Sequence, residues 1–391
     1  MATMKQWTTK QDGLNKMQFG NAPAPSADSL KDGEVLVKVN QVALNYRDTE
    51  VVMGDYKHHK SLQDDANLVP CSDICGTITH TTPGASGLQQ GDRVMAIFNQ
   101  SHLTGQIVEK DMASGLGKPL PGCLTEYRVF PASGLVKVPD YLSDAEAATL
   151  PIAAVTAWMA INSFQPIGQP LQGEDKYVLL QGTGGVSISG LQIAKALGLK
   201  SAYCCLHSLP SPFFAHSQEP FVANITQPPD LTTAIVTSSS DEKLARARAL
   251  GADHTINYKT TPAWDDEVLR VTGNKGADVI FECGGAGTLA RSFNCVAFGG
   301  LVSCIGYLSG KLDPAGGEPQ LNTNVLALRR NVTLKGMLNG PKDRFEEMLG
   351  TYVDKQIRPV VDREFAFGEA DQAFKYVQSG GHFGKVVVNV A

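Results

Sequence analysis

The residues best equipped for chemistry in this 391-residue chain are a glycine run and the hydroxyls and cation that follow it. Gln181-Gly182-Thr183-Gly184-Gly185-Val186-Ser187 comes directly after a short apolar run, Tyr177–Gln181, and opens a segment with helical apolar spacing, Val186–Lys200. Strand, glycine turn and helix start in that order suit a pyrophosphate. Gly182 permits the tight turn, Gly184 and Gly185 let the backbone approach, and the helix end offers free N–H groups to the anion. The third glycine of a G-x-G-x-x-G fingerprint is Ser187 here, so the match is incomplete. An acid that binds the ribose of NAD belongs about 20 residues on, at the end of the second strand. Gly182 to Ser238 is 56 positions, or 23 without the 33 residues 201–233. Thr237-Ser238-Ser239-Ser240 carries no acid, and Lys243 follows one helical turn later. Small hydroxyls beside a cation leave room for a 2′-phosphate, so NADP(H) is the expected cofactor. Asp241 is the contrary sign, read as a helix-start residue beside a Ser239–Glu242 capping box.

These groups need a scaffold that brings strand ends together. After Tyr177–Gln181 come Ala234–Ser240, His254–Tyr258, Ala277–Gly285 and Gly300–Gly306 as strand-like runs, with Val332–Leu338 as a possible sixth, and helical patterns between them. That alternation predicts a parallel, doubly wound sheet. Gly284 and Gly306 end two of its strands on the edge where a dinucleotide lies. The first third reads as β and turn, including Glu34–Asn45, Gly91–Phe98, Thr125–Phe130 and Leu135–Val138. Ser143 and Glu146 form a capping box that opens a helical stretch through Trp158. The tail, 344–391, offers one or two helices and a last strand, Gly384-Lys-Val-Val-Val-Asn-Val.

Residues 201–233 separate a helix from its next strand with five Pro, no Gly and no Lys or Arg. Such connections usually take about 2–6 residues. An 11-fold longer loop costs roughly 2 kcal/mol in closure entropy. Three readings stay open: a lid or interaction loop, a surface insertion, or a translated intron. Deleting the stretch joins Gly-Leu-Lys200 to Ala234 in an ordinary βαβ unit.

Lys plus Arg is 34 against 39 Asp plus Glu, a formal net charge of −5, which argues against a nucleic-acid or anionic-membrane binder. The eight Cys are too sparse for a disulfide scaffold and lack zinc-site spacing. Free thiols, no leader-like apolar N-terminus and no transmembrane-grade stretch lead to an expectation of a cytoplasmic protein.

At this point the chain resembles the medium-chain dehydrogenase/reductase superfamily, in its zinc-independent alcohol-dehydrogenase-like and quinone-oxidoreductase-like branch. The segments that carry the resemblance are ALNYRDTEVVMGDY (43–56), GDRV (91–94), LPIAAVTAW (150–158), QGTGGVS (181–187), SSSDEKLARARALGADHTINY (238–258) and HFGKVVV (382–388). The resemblance implies an α/β Rossmann domain, 152–338, inserted in a GroES-like, mainly-β catalytic domain made of 1–151 and 339–391. Zinc members of the family hold their catalytic metal with a Cys, a His-Glu pair and a further Cys or His. Here those positions read Asn45, Ser72-Asp73 and Ile152, which cannot make the usual three-ligand site. The structural-zinc lobe, near 99–122, contains no Cys. No zinc is expected. His58 and His59 lack ligand spacing and read as loop surface.

Without a metal, hydrogen-bond donors must meet the charge that develops on a substrate oxygen. By resemblance, Asn45 and Tyr56 are the catalytic candidates. Asn45 would orient the carbonyl or the cofactor, and Tyr56 would either donate to oxygen or line the pocket. Gly184, Gly185 and Val186 would meet the pyrophosphate, and Ser239, Lys243 and Tyr258 the 2′-phosphate, although Tyr258 also reads as strand packing. Phe383 and Lys385 return toward the nicotinamide by analogy only. Arg47–Asp48 reads as a structural pair, and Cys283 as a buried small residue with no activating His. The expected function is hydride transfer from NADPH to a small-molecule enone or quinone. The alternatives are a metal-free carbonyl reductase or alcohol dehydrogenase, a low-turnover NADPH-binding protein, or an inactive product of unspliced message. A homodimer paired through Val332–Leu338 is implied by the resemblance.

Overall fold

The computed structural model describes residues 2–57, 67–85, 87–172, 176–198, 232–312 and 322–391. In chain order the strands are β1 (Thr3–Thr8), β2 (Gln18–Pro23), β3 (Glu34–Leu44), β4 (Asp73–Thr81), β5 (Arg93–Ala96), β6 (Tyr127–Pro131), β7 (Leu135–Lys137), β8 (Lys176–Gln181), β9 (Thr232–Ser238), β10 (His254–Asn257), β11 (Ala277–Glu282), β12 (Val296–Cys304), β13 (Thr333–Gly336), β14 (Val361–Ala366) and β15 (Lys385–Asn389). The helices are α1 (Tyr46–Met53), α2 (Glu109–Met112), α3 (Asp144–Ala148), α4 (Val155–Asn162), α5 (Gly185–Gly198), α6 (Asp241–Ala249), α7 (Trp264–Val271), α8 (Leu289–Cys295), α9 (Thr323–Arg329), α10 (Lys342–Lys355) and α11 (Ala370–Gln378).

Six strands form one parallel sheet in the order β10-β9-β8-β11-β12-β13. Both faces are covered. Val178 and Leu180 of β8 point into a core shared with α4 and α5, while Leu179 points into the core built on Trp264 and Val268 of α7. A strand buried on both sides must be apolar throughout, which explains the unbroken Val-Leu-Leu run. The chain leaves β8 toward β9 on one side and later fills β11 on the other. The loop after β8 therefore lies at the switch point of this Rossmann sheet, where α/β folds bind nucleotides.

Both chain ends build the other sheet, in the order β14-β15-β3-β4-β5-β7 with β6 also on β3. It is antiparallel except for β14 beside β15. Strand β3 is its spine: nearly every residue from Val35 to Leu44 is buried, and the strand stops at Asn45, which starts α1. This is the GroES-like half.

Several elements differ from the sequence reading. The helix read through Trp158 is three pieces, with a π-helical turn at Leu150–Ala154 between α3 and α4. The tail holds strand β14 as well as two helices. The cap of α6 is Ser240, whose Oγ accepts from Lys243 N at 3.3 Å, not Ser239. Strand β9 begins at Thr232, and the rest of the 201–233 stretch lies outside the described residues, as do His58 and His59. Among the described residues no helix is long and apolar enough to cross a membrane.

Candidate active site

The glycine loop has the expected local shape. Gly182 takes φ +80°, where only glycine is unstrained. Ser187 Oγ donates to Gln181 O at 2.7 Å and ties the first turn of α5 to the strand end. At Gly185 an added Cβ would lie 2.5 Å from Lys385 Cδ and 3.2 Å from Ala153 Cβ, so no side chain fits. The role of the third glycine, close helix–sheet approach, falls to Gly190. A Cβ there would stand 2.5 Å from Phe281 Cε2 and 2.9 Å from Leu180 Cδ2. A bare loop and an open end of a 14-residue helix fit a pyrophosphate.

The tail closes over this loop. Gly384 N donates to Thr183 O at 2.9 Å, and Gly184 and Gly384 form an isolated parallel bridge. A Cβ on Gly184 would meet His382 Nε2 at 3.9 Å, which puts that imidazole at the phosphate loop. Burial first, then Lys243 and Lys385, push the His382 pKa down to about 4, and its Nδ1 has no hydrogen-bond partner. Phe383 is buried, with the Arg246 guanidinium 4.1 Å from its ring centroid. His382 was not singled out from sequence; the phosphate loop and Lys243 that it faces lie more than a hundred residues earlier in the chain.

The ends of β9 and β10 bring Ser239, Lys243 and Tyr258 to one edge. Tyr258 N donates to Ser238 O at 3.1 Å, and Lys243 Nζ donates to Gly380 O at 2.7 Å. Asp241 accepts from Asn257 Nδ2 at 2.8 Å and sits at the start of α6, where an acid complements the helix dipole.

Gly284 and Gly306 follow β11 and β12, as expected. A buried carboxylate holds their turn. Glu282 accepts from Gly284 N at 3.0 Å, Gly285 N at 2.9 Å, Thr288 Oγ1 at 2.5 Å, Gln181 Nε2 at 2.9 Å and Ser292 Oγ. Gln181 Oε1 in turn accepts from Cys283 N and Gly284 N, which couples the phosphate loop to the next strand end. Cys283 is pushed up to about 12 by burial, so it carries no thiolate at neutral pH.

The third wall comes from α1 and the strands around it. The Arg47–Asp48 pair is buried at 3.1 Å, and the Arg47 guanidinium lies 4.7 Å from the Tyr56 ring and 4.8 Å from Phe98. Lys385 Nζ, buried, donates to Leu44 O at 2.6 Å and to Asn45 Oδ1 at 2.7 Å, and stands 3.9 Å from Asp73 Oδ2. Asp73 accepts from Ser72 Oγ at 3.0 Å and from Ile152 N at 3.2 Å. Burial raises the Asp73 pKa to about 6 despite Lys385 and the nearby Asn45 amide. The positions that correspond to a metal's ligands thus do converge, but as an amide, a hydroxyl, a carboxylate and a backbone N–H around an ammonium. That donor set does not fit zinc. Among the described residues no three His, Cys, Asp or Glu side chains are arranged to hold a metal. Tyr307, which follows Gly306, donates to Glu50 of α1 at 2.5 Å, and Lys311 pairs with Glu50 at 3.0 Å. These bonds span the two halves.

Residues 31–140 match the family model described as an alcohol dehydrogenase GroES-like domain, and 250–388 match a zinc-binding dehydrogenase model. A zinc-type alcohol dehydrogenase-like protein of Schizosaccharomyces pombe is 37% identical over 363 residues, 92% of each chain. The chain belongs to the medium-chain dehydrogenase/reductase superfamily, in its quinone-oxidoreductase-like branch. A quinone oxidoreductase-like protein 2 homolog of Nematostella vectensis is 24% identical over 404 residues, covering 99% of this chain and 92% of its own. The crystal structure of a putative alcohol dehydrogenase from Sinorhizobium meliloti 1021 superposes with a TM-score of 0.78 at 31% identity, over 100% and 99% of the two chains. As a medium-chain dehydrogenase/reductase the protein is an oxidoreductase that uses a nicotinamide dinucleotide, and the bare loop at 182–185 is shaped for one.

Proposed function

We propose that this oxidoreductase is zinc-independent, prefers NADPH, and reduces an activated C=C, as in a quinone or enone. The observation that carries the reading is the cluster of Asn45, Asp73 and Lys385, which offers hydrogen bonds and a fixed charge where a metal would need ligands. When bound, the reduced nicotinamide supplies a hydride to the β-carbon of the substrate. Charge then develops on the substrate oxygen, where Asn45 Nδ2 donates; one such donor is worth roughly 3–4 kcal/mol. Tyr56 lines the same pocket, and solvent delivers the proton to the α-carbon. Gly182, Gly184, Gly185 and Val186 hold the pyrophosphate, Gly284 and Gly306 flank the nicotinamide side, and Ser239, Lys243 and Tyr258 take the 2′-phosphate. The absence of an acid across 237–240 and the turn of Asp241 toward Asn257 support NADP over NAD.

Our domain assignment is a catalytic domain of 1–151 and 339–391 around a nucleotide domain of 152–338. A cytoplasmic homodimer joined at the β13 edge is part of the proposal; Leu334 and Leu338 are exposed there, and Phe298 beside it is 77% exposed.

The test is oxidation of NADPH and NADH against a panel of quinones, enones and aldehydes, with metal analysis of the same sample. NADPH-driven reduction of an enone to the saturated ketone, unaffected by chelators, is expected. Stoichiometric zinc, or preference for NADH, would overturn the corresponding part. An allylic alcohol as product would favour the carbonyl-reductase reading that the S. pombe relative's name suggests.

A further inference from the structure

Lys385 touches both the phosphate loop and the cleft. Its stem fills the space that Gly185 leaves, and its head lies among Leu44 O, Asn45 and Asp73. An ammonium has three protons and no lone pair, so any amide that faces it must turn its oxygen. Asn45 does so, at 2.7 Å. The other end of that amide is then committed. Asn45 Nδ2 lies near enough to Asp73 to favour its ionised form, yet makes no hydrogen bond of ordinary geometry and is buried. An amide nitrogen carries two N–H groups, so beside this loose Asp73 contact at least one is a buried donor without an acceptor, which is costly and asks for an explanation. Catalytic hydrogen bonds that are loose in the free protein and tighten in the complex supply one.

We propose that Lys385 is the positioning residue of this site: its ammonium stands in for the metal of zinc relatives and locks the Asn45 amide with oxygen inward, so that only an N–H remains for the substrate oxygen. The proposal rests on the reading of Asn45 as the oxygen's donor. Asp73 is the counter-charge that keeps the ammonium in place, held by Ser72 Oγ and Ile152 N. Asp48 and Arg47 complete a buried group of two acids and two cations. An unlocked amide could present oxygen to oxygen, which repels the developing charge. The lock therefore acts on turnover more than on binding.

Lys385→Met keeps the stem against Gly185 and removes the charge. The expected result is a ~100-fold fall in kcat with KM and NADPH affinity within about threefold of the parent, the size of losing one oxyanion donor. Because Lys385 acts through Asn45, Asn45→Ala and the double variant should be equally slow, and Lys385→Arg should recover much of the rate. Additive losses, or an unchanged kcat in Lys385→Met, overturn the proposal. If Lys385→Met fails to fold because Asp73 is left uncompensated, Lys385→Met with Asp73→Asn is read in its place against Asp73→Asn alone. A second arm needs no turnover. In 15N-labelled protein the Asn45 side-chain NH2 signals, assigned by their loss in Asn45→Ala, should shift in Lys385→Met. Unmoved signals sink the lock. Failure to turn over any panel substrate with this shift present instead counts against the enone and quinone reading alone.

Discussion

Acidification should weaken this fold through His382, by an amount its surroundings set. The half-buried imidazole packs against the phosphate loop with Lys243 and Lys385 facing it, and Asp362 favours its charged form. Its pKa falls to about 4 in the folded chain, against about 6.5 when unfolded. The unfolded chain therefore takes up the proton first, and stability drains away as pH falls from about 6.5 toward 4. Between pH 7 and pH 5 the linkage amounts to about 2 kcal/mol from this one group. At roughly 2.1 cal/mol/K of unfolding entropy per residue, that is about 2 °C in midpoint for a chain this size. Carboxylates also titrate in this range, so the assay is a comparison. Thermal unfolding of the parent and of His382→Gln is followed from pH 8 to pH 5. The parent should lose about 2 °C more than the variant. Parallel pH profiles would mean that His382 is solvated enough to titrate normally, and the placement of the tail over Gly184 would be wrong.

Lys243→Ala should weaken NADPH binding roughly 10-fold or more, in line with loss of a charge-assisted contact, and leave NADH binding unchanged; fluorescence titration with both nucleotides checks this. Gly190→Val should cost at least ~2 kcal/mol by overpacking against Phe281 and Leu180, read as a lowered unfolding midpoint. Tyr307→Phe removes a donor from the Glu50 carboxylate, which also pairs with Lys311 across the two halves. A loss of ~1–3 kcal/mol is expected, measured by denaturant unfolding.

What the sequence revealed and what it hid divide by distance along the chain. The βα alternation, the Ser143–Glu146 capping box and the glycine loop are local patterns, and each appears where its pattern lies. The Arg47–Asp48 pair joins adjacent residues and was equally legible. Lys385 was different. Family analogy alone led it back toward the nicotinamide, and its head meets Asn45, 340 residues earlier. No periodicity encodes that contact; it follows from the antiparallel pairing of β15 with β3, where Val386 faces Leu44. Gly190 was passed over because it sits inside a helical pattern, where glycine normally counts against a helix. Its reason is Phe281, on a strand that the helix meets only after folding. Strand β14 was missed because its Asp, Arg and Glu leave little apolar signal.

The same pairing gives the site a mechanical property. Gly384 is bonded to Thr183 of the phosphate loop, and the next residue, Lys385, begins β15 and holds Asn45. One peptide bond therefore separates a contact with the nucleotide loop from a contact with the proposed donor. A shift of the loop cannot be absorbed by Gly384 alone. Its φ of +80° is fixed by Val360, whose carbonyl an added Cβ would meet at 2.6 Å and which accepts from Lys385 N at 3.0 Å. Densely packed segments of this kind move as units. The segment that covers a bound pyrophosphate is thus the one that sets the Asn45 amide. Loop and cleft are coupled through the Gly384–Lys385 backbone and the packed Lys385 side chain.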